Sequence, residues 1–216
     1  MLREAWLAWC DRVGFDSKSQ DSIYERMEAA YAEPTRFYHT FSHIRHCLSE
    51  WEVMRNDFPV GEDRLAIEAA IWFHDVIYRP EASDNELRSA EWAATAMEDG
   101  GLEPDFIDQV KRLILVTDHR RLPRTEAENW ICDIDLSILG QPASAYEAYA
   151  AAIRQEYHFV SASSYRIGRA AVLQSFLDRE WIFATPYFRG RYESLARSNL
   201  QSEISQWTGG FETGTA

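Results

Sequence analysis

Cysteine is scarce in this chain. Cys10, Cys47 and Cys132 are far apart, odd in number and form no Cys-x-x-Cys pair. That excludes a disulfide framework and a thiolate zinc site of ordinary spacing, and it points to reduced thiols in a cytoplasmic setting. Long apolar runs are missing as well. None approaches the length needed to span a bilayer, and the first ten residues, broken by Arg3 and Glu4, hold no signal-peptide core. No membrane partner is expected. Basic residues are few: 22 Lys and Arg stand against 35 Asp and Glu, a net charge of -13. Duplex nucleic acid requires a positive field and is not an expected partner. A small phosphorylated substrate is still compatible, because a bound divalent cation reverses the field locally. Strand signals are nearly absent, and neither a repeat nor a linker-like stretch divides the chain.

What the chain does hold is apolar residues at helical spacing. Hydrophobic residues make up 46% and aromatics 13%, the composition of a globular chain, and 216 residues suffice for one sizeable domain with a buried core. Leu2, Trp6, Trp9 and Val13 form one helical stripe, stopped at Gly14. Ile23, Met27 and Ala30 form a second, with Asp21 as its expected cap. Thr35 is placed to cap a third, which runs to Asn56 and is ended by Phe58-Pro59-Val60-Gly61. A fourth covers Glu62 to Tyr78. Ser83 followed by Glu86 has the form of a capping box for a fifth, ended at Gly100-Gly101. Pro104 opens a sixth, with Ile107, Val110, Leu113, Ile114 and Thr117 on one face. Helices from Gln141-Pro142 to Phe159, from Ser161 to Leu177 and from Arg189 to Trp207 bring the count to about nine. The expectation is all-α: a single-domain helical bundle over residues 1–207, with a flexible Gly/Thr-rich tail at 208–216.

Residues that are costly to bury interrupt this pattern in three places. In Trp72-Phe73-His74-Asp75-Val76-Ile77-Tyr78, an imidazole and a carboxylate close an apolar run. With the helix read from Ala66 to Tyr78, Ile67, Ile71, His74 and Tyr78 share a stripe and His74 points inward. Such a pair is either hydrogen-bonded within the core or holds a cation. His39, His43 and His46 recur at i, i+4 and i+7, within about 60° of a helix face if Tyr38 onward is helical. Asp133 and Asp135 lie at i, i+2 among the apolar residues of Asn129 to Gly140. Set in order, His43, His74-Asp75 and Asp135 place two imidazoles and two carboxylates on three helical segments. That donor set suits an octahedral divalent ion with positions open to water and substrate. Nitrogen and oxygen donors without thiolate favour Mn, Fe, Co, Ni or Mg, as one ion or two.

These residues, in this order and in an all-helical chain, resemble the HD-domain superfamily of metal-dependent phosphohydrolases. Tyr38-His39-x-x-x-His43, Trp72-Phe73-His74-Asp75, Asn85-Glu86-x-x-Ser89-Ala90, Thr117-x-His119 and Asp133-x-Asp135-Leu136-x-x-Leu139-Gly140 are similar to a little-characterised branch of HD-type hydrolases. The similarity continues through Ile153-Arg154-x-Glu156-Tyr157, Gly168-Arg169 and Glu193-x-x-Ala196-Arg197-x-Asn199-Leu200.

The resemblance implies an HD-type bundle and an enzyme that hydrolyses a small phosphoester, such as a nucleotide, with a metal-activated water. It implies His43, His74, Asp75 and Asp135 as metal ligands. Asp135 is preferred over Asp133 because HD proteins place this ligand directly before Leu; the reverse assignment stays open, with Asp133 otherwise a cap or a partner of a ligand. His39 is placed like a histidine that protonates the leaving group in cyclic-nucleotide phosphodiesterases, although it reads equally well as a surface residue at a helix start. Asp75 would bridge metals or orient the water. Glu86 and His119 are candidates for a second metal or for positioning the water, and a capping box also accounts for Glu86. The implied catalytic set is His39, Asp75 and Glu86. The substrate-binding set is His119, Arg154 and Arg169, the two guanidinium groups neutralising phosphate. An arginine on a helix also commonly faces solvent. His46 reads as structural, and Arg120, Arg121 and Arg124 as a basic lip. The Glu-Asp pair of guanosine-tetraphosphate hydrolases and the Gly-Tyr-Pro element of cyclic-di-GMP phosphodiesterases are absent, which disfavours those substrates. Two other readings remain: a di-iron oxygenase on the same ligand set, and a non-catalytic metal- or ligand-binding helical domain. Homo-oligomer formation is left open by the sequence.

Overall fold

In the computed structural model, which describes residues 2–55 and 62–208, every regular element is helical. Ten α-helices occur among the described residues, one more than the nine expected. Phe58-Pro59-Val60-Gly61 and the tail after Thr208 lie outside those residues, so their expected roles as a helix stop and a frayed end are not described. No described helix is long and apolar enough to cross a membrane. Cys10, Cys47 and Cys132 are all free and buried. The chain divides into two compact units, Met1–Asp135 and Leu136–Ala216.

Unit 1 is built around α4 (Glu62–Phe73). From Ala66 to Phe73 it is fully buried except for Glu68, and it packs on α1 (Leu2–Val13), α3 (Phe41–Met54), α5 (Asn85–Asp99) and α6 (Pro104–Leu115). A helix buried all round has to be apolar all round, which is why this segment reads as a continuous run and not as a stripe. Aromatic rings lock α1 onto it. Trp6 stacks on Trp9 at 5.1 Å and meets Trp72 and Phe73 edge to face at 5.7 and 5.8 Å. Each such pair contributes about 0.5–1.5 kcal/mol beyond its buried area. The Trp9 indole also donates to the Leu65 carbonyl at 3.1 Å, and Arg12 pairs with Glu68 at 2.6 Å. The C-terminus of α4, where the site begins, is thereby held from behind.

Several helix ends differ from the expected ones. The third helix starts at Phe41, with Thr40 and not Thr35 as its cap; the Thr40 oxygen accepts from the Ser42 N–H at 3.2 Å. Tyr38 and His39 therefore precede α3. Ser19, not Asp21, occupies the N-cap of α2 (Gln20–Tyr31), and no side chain caps it. The Ser83–Glu86 capping box does not form: Asp84 holds the N-cap of α5 without a side-chain cap bond, its carboxylate instead accepting from Arg88 at 2.8 Å. The fourth helix ends at Phe73, before His74. Its last carbonyls are met from outside the helix: that of Trp72 accepts from the Tyr31 hydroxyl at 2.8 Å and that of Phe73 from the Val76 N–H at 3.1 Å. The segment around Asp133 and Asp135 forms α7 (Glu126–Leu136).

Unit 2 contains a 3-10 turn at Ser137–Gly140, α8 (Ala143–Glu156), α9 (Ala162–Leu177) and α10 (Pro186–Thr208). The turn lies so close to α10 that a Cβ at Gly140 would collide with the Tyr192 side chain and meet its carbonyl oxygen at 2.9 Å. Asn199 fixes this approach by donating to the carbonyls of Leu139 and Gln141 at 2.8 and 2.9 Å. The Glu193 carboxylate accepts from the Ile182 and Phe183 N–H groups at 3.1 and 3.2 Å and from Arg197 at 2.7 Å. These motif residues build the unit's own scaffold.

Candidate metal centre

His74 is the first residue past α4. Its N–H still reaches the Ala70 carbonyl at 2.9 Å, so the ring leaves the helix end in a fixed direction and stays buried, 2% exposed. Its Nδ1 lies 3.1 Å from the Ile71 carbonyl. A carbonyl can only accept, which assigns the hydrogen to Nδ1 and leaves the Nε2 lone pair facing inward. His43, on the first turns of α3, brings its Nε2 to 3.1 Å from that atom, with the Cys47 Sγ 3.7 Å behind its ring. Asp135, near the end of α7, places Oδ1 3.1 Å from His43 Nε2 and 3.5 Å from His74 Nε2. The carboxylate that meets the histidines is thus that of Asp135. At i, i+2 on a helix, Asp133 points about 200° away, and it is buried.

One ligand atom from each of His43, His74 and Asp135 lies within 4.8 Å of the others. Asp75 stands beside this triad, its Oδ2 3.4 Å from His43 Nε2 and 3.1 Å from His74 Nε2. Four polar atoms therefore converge. Two belong to acceptor-only carboxylates, at least one is an inward lone pair, and a single hydrogen on His43 could answer only one of the others. The centre is short of positive charge. A cation fits that deficit, and the nitrogen and oxygen donors suit a divalent ion. In the metal-free protein the same deficit acts as proton affinity. Burial opposes a charge on His74, but the Asp75 and Asp135 carboxylates outweigh it and hold the ring well above the ordinary histidine value. Burial likewise resists ionisation of both carboxyls. The histidines outweigh it, His74 foremost at Asp75 and His119 at Asp135, and keep the two well below the usual carboxylate range.

His119 joins the group from another direction. It follows a 3-10 turn, Val116–Asp118, and has left-handed backbone at φ 54°, which is uncommon for a residue with a Cβ. Its Nε2 lies 2.8 Å from Asp135 Oδ2. His39, in the turn before α3, stacks its ring on Tyr78 at 3.8 Å, and its charge is felt at Asp75. Glu86, half-buried on the first turn of α5, has its carboxyl raised by burial first and then by the charges of Asp75 and Asp118. His46 is pushed down to about 4 by burial and by His43. The basic lip is partly committed: Arg121 holds Glu128 at 2.8 Å, and Arg120 donates to the Ser83 carbonyl at 3.1 Å.

Arg154 and Arg169 belong to unit 2. Arg154 donates to the carbonyls of Tyr157 and Val160 at 2.6 and 3.0 Å, and Arg169 is buried against Glu203 at 3.0 Å.

Arg36 is missing from the sequence-based set. Its guanidinium is buried and donates to the Asp75 carbonyl at 2.6 Å, the Val76 carbonyl at 2.9 Å and the His39 carbonyl at 3.3 Å. It thus ties the turn carrying His74 and Asp75 to the turn carrying His39. On the far side, Ser89 of α5 both donates to and accepts from the Ile77 backbone at 3.1 Å, and Asn85 does the same for Arg79. Asn85 and Ser89 stand in a motif legible in the sequence. Arg36, in a loop of ordinary composition, carries no local signal.

No family model, no curated protein and no solved structure matches this chain.

Proposed function

We propose that unit 1 is an HD-type metal centre that hydrolyses a small phosphoester. The observation that supports this most directly is the convergence of His43 Nε2, His74 Nε2, Asp135 Oδ1 and Asp75 Oδ2 on one point, with too few hydrogens to satisfy them. A bound divalent ion supplies a water of lowered pKa and a Lewis-acid contact for a phosphoryl oxygen. The residues of the chain then have separable tasks. His43, His74 and Asp135 hold the ion, and Asp75 completes the set or orients the water. The Ile71 carbonyl fixes the His74 tautomer. His39, braced on Tyr78, carries the proton needed by the departing oxygen. His119 and Glu86 flank the carboxylates of Asp135 and Asp75 and take a second ion or position the water. The carboxylates and His119 retain some exposure, 14–18% for their side chains, so substrate can reach this edge while the ligand rings stay buried.

The test is metal content of protein purified without chelator, wild type beside Asp75→Ala. About one or two equivalents of Mn, Co, Ni, Fe or Mg in wild type, lost in the variant, is expected. Turnover of a chromogenic phosphomonoester or phosphodiester by the loaded protein completes it. A wild-type protein that neither carries nor accepts a metal refutes the proposal, and a bound iron pair with oxygen consumption but no hydrolysis replaces the reaction.

A further inference from the structure

Unit 2 contains a cleft of about 390 Å³ along one face of α8. Ala143, Glu147, Ala150, Ala151 and Arg154 recur there at i, i+4, i+7, i+8 and i+11, a single helical face. Three of the five are alanines, where a face packed against a neighbour would carry larger apolar side chains. Tyr146 of the same helix also lines the cleft, but along the alanines the gap to the facing helices stays open. The facing wall is aromatic: Tyr165 of α9 and Trp207 of α10 meet edge to face at 6.3 Å. The volume falls within the range of small-molecule sites, about 300–1,000 Å³.

The charges around the cleft are unevenly answered. Glu203 lines it, but its carboxylate already accepts from Arg169 and from the Tyr146 hydroxyl, so little negative charge is left to offer. Glu147, at the rim, is exposed to solvent. Arg154 donates only to two carbonyls and lies 4.6 Å over the Tyr165 ring; no carboxylate pairs with it among the described residues. Arg166, beside Tyr165, forms neither a hydrogen bond nor an ion pair among the described residues. The Tyr165 hydroxyl is buried without a hydrogen-bond partner.

We infer that this cleft binds a small organic anion with a planar apolar body. The body lies on the alanines of α8 against the Tyr165–Trp207 wall, and the anionic group meets Arg154 and Arg166. The inference is independent of the metal centre and of the reaction proposed for it.

The probe is 8-anilinonaphthalene-1-sulfonate, titrated by fluorescence into the full chain in excess chelator, so that no metal centre can take up the sulfonate. One saturable site is expected. Ala151→Trp, at an exposed position, fills the cleft and weakens the probe by at least about tenfold, while Arg166→Gln weakens it about three- to tenfold. The uncharged N-phenyl-1-naphthylamine should bind wild type and Arg166→Gln alike, and unfolding midpoints should not move. Absence of saturable binding, or a titration unchanged by Ala151→Trp, overturns the inference. A wild-type dimer that Ala151→Trp dissociates does so too, because the cleft would then be covered by a second copy of the chain.

Discussion

Replacing Arg36 with Met removes a buried fork and leaves the shape of its stem nearly intact. Its two short bonds, 2.6 Å to the Asp75 carbonyl and 2.9 Å to the Val76 carbonyl, take up orphan carbonyls just past the end of α4. Hydrogen bonds from a charged group contribute about 1.5–3 kcal/mol each, so the pair is worth about 3–6 kcal/mol. The longer bond to His39 and the pair with Glu33, whose side chain is half exposed, add little. For a chain of this length the unfolding midpoint shifts by about 2–4 °C per kcal/mol, which predicts a drop of about 6–24 °C in metal-free protein. The turn carrying His74 and Asp75 loses its tie to the turn carrying His39, so Mn or Co affinity should fall about 10- to 100-fold, as when other supports of metal ligands are removed. Arg36→Lys, with one donor head in place of the fork, should recover part of both losses. Circular dichroism melting and calorimetric metal titration measure the two effects separately. An unchanged midpoint would refute the energetic reasoning. A lowered midpoint with metal affinity within about threefold of wild type would reduce Arg36 to a structural brace.

The other predictions concern separate parts of the molecule. His39→Gln should lower phosphoester turnover about 10²- to 10⁴-fold with metal content unchanged, and loss of the metal would remove His39 from the leaving-group role. Gly140→Ala forces a Cβ into Tyr192 and should cost about 1–3 kcal/mol in denaturant unfolding without altering metal content; a neutral result would mean that the turn yields. The hydrogen bond from Arg121, foremost, holds the Glu128 carboxyl below its ordinary value, with the Arg124 N–H also donating to it. Its contribution is therefore present above the unfolded value, about pH 4.3, and lost as pH falls through the lower folded value. The stability gap between wild type and Glu128→Gln should be about 1–2 kcal/mol near pH 7, given that Arg121 is partly exposed, and should close on acidification. A gap that widens in acid would contradict this assignment.

Apolar periodicity made the helical class legible in the sequence, along with most stripes and the stops at Gly14 and Gly100-Gly101, because these depend on a residue's own backbone preference and on neighbours three or four positions away. The order His43, His74-Asp75, Asp135 singled out the candidate ligands for a related reason: ionisable groups inside apolar runs are costly, and so conspicuous. Where α3 and α4 begin and end was decided elsewhere. Their termini are satisfied by Thr40 and, from a different part of the chain, by the Tyr31 hydroxyl, so His39 and His74 lie outside helices whose periodicity seemed to include them. The choice between Asp133 and Asp135 was likewise tertiary, since both have apolar neighbours and only the rotation of α7 turns one of them toward the histidines. Arg169 could be read as a phosphate ligand from the sequence, whereas its Glu203 partner, 34 residues away, comes from the packing of unit 2. Local sequence encodes conformational preference and the cost of burial. It does not encode which distant carbonyl or carboxylate will be present to meet a buried charge, and at this site that meeting is what sets the geometry.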